Sequence, residues 1–176
     1  MLNARILLVF LTLAAAPLAA SAQSPEARIE AARARVSAAG IPATLLDGRV
    51  AQGRAKGVSM ERIAASVERR ASSLSAALQA MVGPVRDLTA ADLNAGADAI
   101  EAGIPTSDLR ALTELVHGPD RPVAIAVLAQ LHRDGLSAAQ AFARVTAALG
   151  EGPDALRNLP SAAAAERRRN GPGSGR

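Results

Sequence analysis

Four times the chain places a glycine, then one aliphatic residue, then proline or serine: Gly40-Ile41-Pro42, Gly57-Val58-Ser59, Gly103-Ile104-Pro105 and Gly135-Leu136-Ser137. Glycine readily takes the left-handed conformation that commonly ends a helix, and an apolar residue just beyond it can staple the corner. Serine and proline favour the first positions of the next helix. The recurrence therefore cuts the chain into short helices. Composition agrees, since 43 of 176 residues are alanine, the strongest helix former. Alternating runs of β-branched and aromatic residues, the mark of strands, are missing. The expected fold is all-α, a compact bundle of about seven short helices with a disordered C-terminal tail. The glycine units read either as two copies of one helical hairpin of unequal length or as independent helix caps.

The punctuation places the helices one by one. Ser24 and Pro25 open the first, with Glu26 in its first turn, and Gly40 closes it. A second is expected from Pro42 to Lys56, weakened by Gly48 and Gly53. A third runs from Ser59 to about Val82, before Gly83-Pro84. Thr89 caps a fourth that ends at Gly103, and Thr106 or Ser107 a fifth that ends at Gly118. Asp120 caps a sixth ending at Gly135, and Ser137 a seventh ending at Gly150. A short eighth covers Asp154–Asn158. Beyond Pro160 the chain is Ala, Arg, Gly, Pro and Ser, a composition that predicts disorder.

Residues 1–22 read as a signal peptide. Arg5 supplies the positive end, Ile6–Ala16 the apolar run, and Ala20-Ser21-Ala22 a small-x-small cleavage pattern. The run is short for a membrane-spanning helix, which needs about 20 residues. The expected organisation is a signal peptide (1–22), a single helical domain (23–160) and a disordered Arg/Gly/Pro tail (161–176). The expected location is periplasmic or secreted.

With no cysteine there is no disulfide framework and no thiolate metal site. Charge lies in blocks. Residues 23–70 carry nine Lys/Arg against five Asp/Glu, and residues 71–165 carry six against ten. The body is thus neutral, with a basic first half and an acidic second half. The halves either complement one another, associate between molecules, or are each simply solvated. A neutral body with almost no aromatic residues speaks against nucleic acid as a partner.

Candidate sites are few. Met60, Val67, Leu74 and Met81 recur every seven residues on the third helix, a stripe for core packing or for a protein partner. Val123–Ala129 is apolar all round, which predicts a central, buried helix. Arg167, Arg168 and Arg169 are a candidate anion contact, giving weak attachment to an anionic envelope surface. His117 and His132 sit at helix ends and read as polar caps. Asp98 and Glu101 share a helix face and read as a solvated acidic pair. His132-Arg133-Asp134 resembles a fragment of the protein-kinase catalytic loop, but the Gly-rich loop and strand lysine of that mechanism are missing. No catalytic, cofactor or metal site is expected.

Leu136-Ser137-Ala138-Ala139-Gln140 is similar to the L-T-x-x-Q motif of small, all-helical periplasmic stress chaperones, and Leu88-Thr89-Ala90-Ala91-Asp92 is a weaker instance. The resemblance implies binding of unfolded clients. The same residues also spell a helix-capping box. The functional expectation is a non-catalytic, exported protein-interaction module of the bacterial envelope, engaging a protein partner or a second copy of itself. The alternative is a holdase-like periplasmic chaperone.

Overall fold

The computed structural model describes residues 23–83 and 87–170, so the signal-peptide reading and residues 171–176 lie outside the described residues. The described residues form eight α-helices and one 3₁₀ turn, and no strand. The helices are α1 Pro25–Ala38, α2 Asp47–Ala55, α3 Met60–Met81, α4 Ala90–Ala102, α5 Thr106–Leu115, α6 Asp120–Arg133, α7 Ala138–Glu151 and α8 Pro153–Asn170. The 3₁₀ turn Ala43–Leu46 leads directly into α2, so the second expected helix begins as a tighter coil. None of these helices is long and apolar enough to cross a membrane.

The glycine units are complete Schellman motifs. Gly40 donates to the Ser37 carbonyl at 2.9 Å, and Ile41 reaches back to Val36 at 2.9 Å. Gly103 bonds Ile100 at 3.0 Å, and Ile104 bonds Ala99 at 3.0 Å. Both glycines have positive φ, 75° and 100°, which a Cβ would strain. Val58 and Leu136 make the same backward bonds to Gly53 and Leu131. Two helix starts are full capping boxes, Thr89 with Asp92 and Ser137 with Gln140. These are the two stretches similar to the chaperone motif, and in this fold both cap helices.

Two segments share one plan. α1–α2–α3 and α4–α5–α6 each run as a helix, Gly-Ile-Pro, a shorter helix and a longer helix. In this register Ala32 matches Ala95, Ile41 matches Ile104 and Leu46 matches Leu109, and all six are buried. The repeated arrangement therefore takes in three helices rather than a hairpin. In each, the first helix packs on the third.

The buried side chains form two clusters. The first gathers Ile29, Val36, Leu46, Ile63, Val67 and Leu74 from α1, the 3₁₀ turn and α3. The second gathers Met81, Leu109, Leu112, Ile125, Leu128 and Leu156 from α3, α5, α6 and α8. α3 and α4 serve both. On α4, Leu93 and Ala97 face the first cluster, while Ala95 and Ala99 face the second. α6 packs on α4, α5, α7 and α8, the central position its sequence predicts, although Ala126 is exposed and Val123 only partly buried.

The far end differs from expectation. α7 runs through Gly150 to Glu151, and α8 continues through Pro160 to Asn170 in place of a disordered tail from 161. Proline costs a backbone hydrogen bond inside a helix. Here Leu156 and Ala163, two turns apart on one face, are both buried in the second cluster and hold the helix on either side of Pro160. Glu166 adds an ion pair to Arg144 on α7 at 2.7 Å.

Candidate binding groove

The residues expected to meet a partner are mostly internal. Val67, Leu74 and Met81 are fully buried and Met60 partly so. The α3 stripe is therefore core, because α1 and α4 pack against it. Arg167 is held by the carbonyl and the carboxylate of Asp134. Arg168 and Arg169 are exposed on the last turn of α8.

The histidines and the carboxylate pair are placed structurally. His132 Nδ1 lies 2.8 Å from the Leu136 carbonyl, bracing the end of α6. His117 is exposed between α5 and α6. Asp98 and Glu101 both bind the buried Arg70 guanidinium, at 2.7 and 3.1 Å, and Arg70 also reaches Asn94 Oδ1 at 2.6 Å. Among the described residues no group of three or more histidines and carboxylates is arranged to hold a metal.

The site that emerges lies between α2 and α3. Two adjoining clefts, of about 410 and about 710 Å³, share Arg49, Ala65, Ser66 and Arg69 and so form one groove. Close helix approach makes its floor. Gly53 of α2 sits against Ile63 of α3, where a Cβ would lie 2.5 Å from Ile63 Cγ1. Only glycine allows that spacing. On α3, Arg62, Ser66, Arg69 and Ser73 succeed one another at three and four residues and therefore share a face. Lys56 stands at the end of α2, and Gln52 lies one turn before it.

The two carboxylates on the groove are already neutralised. Glu68 is paired with Arg28, whose hydrogen bond holds the Glu68 carboxyl below the usual carboxylate range. Glu101 is shared by Arg49 and Arg70. Lys56, Arg62 and Arg69 are exposed and have no ion-pair partner among the described residues. The Ser72 and Ser73 hydroxyls donate to carbonyls one turn back, at 3.1 Å each, so their oxygens remain as acceptors. The groove thus presents three uncommitted cations over a floor of small side chains. It holds charge and shape but no paired nucleophile and base.

None of the sequence expectations falls on this face of α3. The available signal was the positive excess in residues 23–70 combined with the spacing of Arg62 and Arg69. What it lacked was the position of α2, which turns one helix face into a groove. Compared with protein-family models, with curated proteins and with solved structures, the chain matches none. Its function is therefore read from its own geometry.

Proposed function

We propose that this chain is a non-catalytic, exported protein-interaction module whose binding face is the α2–α3 groove. The observation that carries the reading is the charge bookkeeping around that groove. Three cations stand without partners beside carboxylates that are all engaged. Single exposed charges mean little, but aligned unpaired cations on the walls of one cleft raise the local potential and steer an anionic partner. The absence of any general acid–base pair in the groove fits binding rather than turnover. The α3 stripe offers no apolar surface to unfolded clients, since Val67, Leu74 and Met81 are buried.

Site-specific photocrosslinking in cells tests the reading. A photoreactive residue at Ser66, inside the groove, is compared with one at Ala126, on the exposed face of α6. A discrete adduct of constant mass from Ser66 only is the expected result. Equal, smeared adducts at both positions point to broad client binding, and the absence of any adduct at Ser66 removes the groove as the binding face.

A further inference from the structure

We infer that the α2–α3 groove binds an acidic segment of its protein partner, with carboxylates seated on Lys56, Arg62 and Arg69. The inference rests on the binding-module reading and names the chemistry of its partner. Three features favour a peptide segment over other anions. First, the site is a cleft. A flat lipid surface would touch its rims and leave Ser66 and the Gly53 floor unfilled. Second, the groove lining contains no aromatic side chain, so bases have nothing to stack on. Third, two of the cations are aligned along α3. Arg62 and Arg69 are seven residues apart on α3, a rise of about 10.5 Å along the axis. Carboxylates three residues apart on a chain in the polyproline II conformation point the same way, since that helix repeats every three residues, and at about 9 Å they match that interval.

The lining suits such a segment beyond charge. Gln52 offers an amide to the segment's backbone, and Ser66, half-buried between the two arginines, has a hydroxyl without a partner among the described residues. Ala65 adds only a methyl group to the wall beside it. A second copy of this chain is a poor occupant. Its acidic half commits Asp92, Asp98, Glu101, Asp120, Asp134 and Asp154 to ion pairs, and Asp87, Asp108, Glu114 and Glu151 are scattered along the chain.

The test uses the full mature chain and a fluorescein-labelled Gly/Ser peptide carrying glutamates three residues apart, read by anisotropy at several salt concentrations. The control peptide replaces every Glu by Gln. The expected result is saturable binding of the acidic peptide that weakens with salt and is about tenfold weaker in the Arg62→Glu/Arg69→Glu variant. The charge-matched Arg110→Glu/Arg133→Glu variant should bind as the unaltered chain does. Arg69→Gln alone should give a smaller loss, which keeps the test decisive if the double variant does not fold. Equal binding of the two peptides overturns the inference, as does binding indifferent to Arg62 and Arg69. Tighter binding of phosphatidylglycerol vesicles or of an oligonucleotide through the same residues also overturns it. So does self-association lost in the same variant, because the occupant is then a second copy. A Ser66 adduct in cells without peptide binding would remove this inference and leave the module reading standing.

Discussion

The two halves of the molecule solve the same packing problem with different materials. Around α1, α2 and the first turns of α3, the core is built from Ile, Val and Leu, and the charges stay at the surface in cross-helix pairs. Around α4–α8, alanine fills more of the core, and one ion pair is buried outright. Asp92 and Arg121 are 1% and 4% exposed and meet at 3.1 Å. The first half can therefore carry spare cations on a groove. The second half buries one of its charge pairs, and Asp92 Oδ1 is left without a hydrogen-bond partner. The halves are joined where their fields meet, by Arg70 and Arg49 of the basic half on Asp98 and Glu101 of the acidic half. Of the ways the charge blocks can be resolved, this contact realises the complementary one.

The buried pair is the largest lever on that contrast. Arg121 also donates to the Val116 carbonyl at 3.2 Å, so it ties α4 to the loop before α6. Arg121→Ala leaves Asp92 charged and uncompensated in the interior, a loss of about 3–5 kcal/mol. Arg33→Ala, which breaks the solvent-facing pairs to Glu30 and Asp47 within the other half, should cost about 1 kcal/mol or less. Urea unfolding of the two variants checks the ratio. Equal losses would mean that the two halves do not differ in how they use charge.

Glycine substitutions sharpen the comparison at the next level. A Cβ on Gly96 would sit 3.0 Å from both Ala77 Cβ and Met81 Sδ, where α3 and α4 cross. Ala77 cannot rotate away, so the backbones must separate, and Gly96→Ala is expected to destabilise by about 1–3 kcal/mol. Gly48 of α2 has open space around its Cα. Gly48→Ala should instead stabilise by about 0.5–1 kcal/mol through helix propensity alone. Opposite shifts in thermal midpoint are the outcome to look for.

These positions also show what the sequence could and could not reveal. Helix ends were legible because each is a local event. Gly40 with Ile41, Thr89 with Asp92, and Ser137 with Gln140 close their own hydrogen bonds within a few residues. The end of the fold was misjudged because the helix through Pro160 depends on a distant core that receives Leu156 and Ala163. Composition sees Ala, Arg and Pro there, but not the face they share. The α3 stripe was read correctly as apolar, yet its role as core or docking face was undecidable without knowing that α1 and α4 cover it. The groove was the hardest case. Arg62 and Arg69 look like any solvated pair until Gly53 lets α2 close in beside them. Similarly, Asp98 and Glu101 look solvated until Arg70, more than twenty residues earlier, is seen to lie between α3 and α4.

The smallest effect concerns the groove's own wall. Arg28 on α1 holds Glu68 on α3, and the hydrogen bond stabilises the charged carboxylate, so the folded-state pKa lies below the usual carboxylate range. A depressed folded pKa means that the contribution is full above the unfolded value and disappears as pH falls through the folded one. The difference in urea midpoint between the unaltered chain and Glu68→Gln should hold steady near neutral pH. It should shrink below about pH 4.5 and vanish once the folded carboxyl is protonated. High salt should shrink it at every pH, because the pair faces solvent. If the pair also keeps Glu68 from competing for Arg69, Glu68→Gln should leave acidic-peptide binding nearly unchanged at neutral pH. A marked gain in binding would mean that Glu68 opposes the incoming carboxylates despite Arg28, and that the groove's positive excess is smaller than its ion pairs indicate.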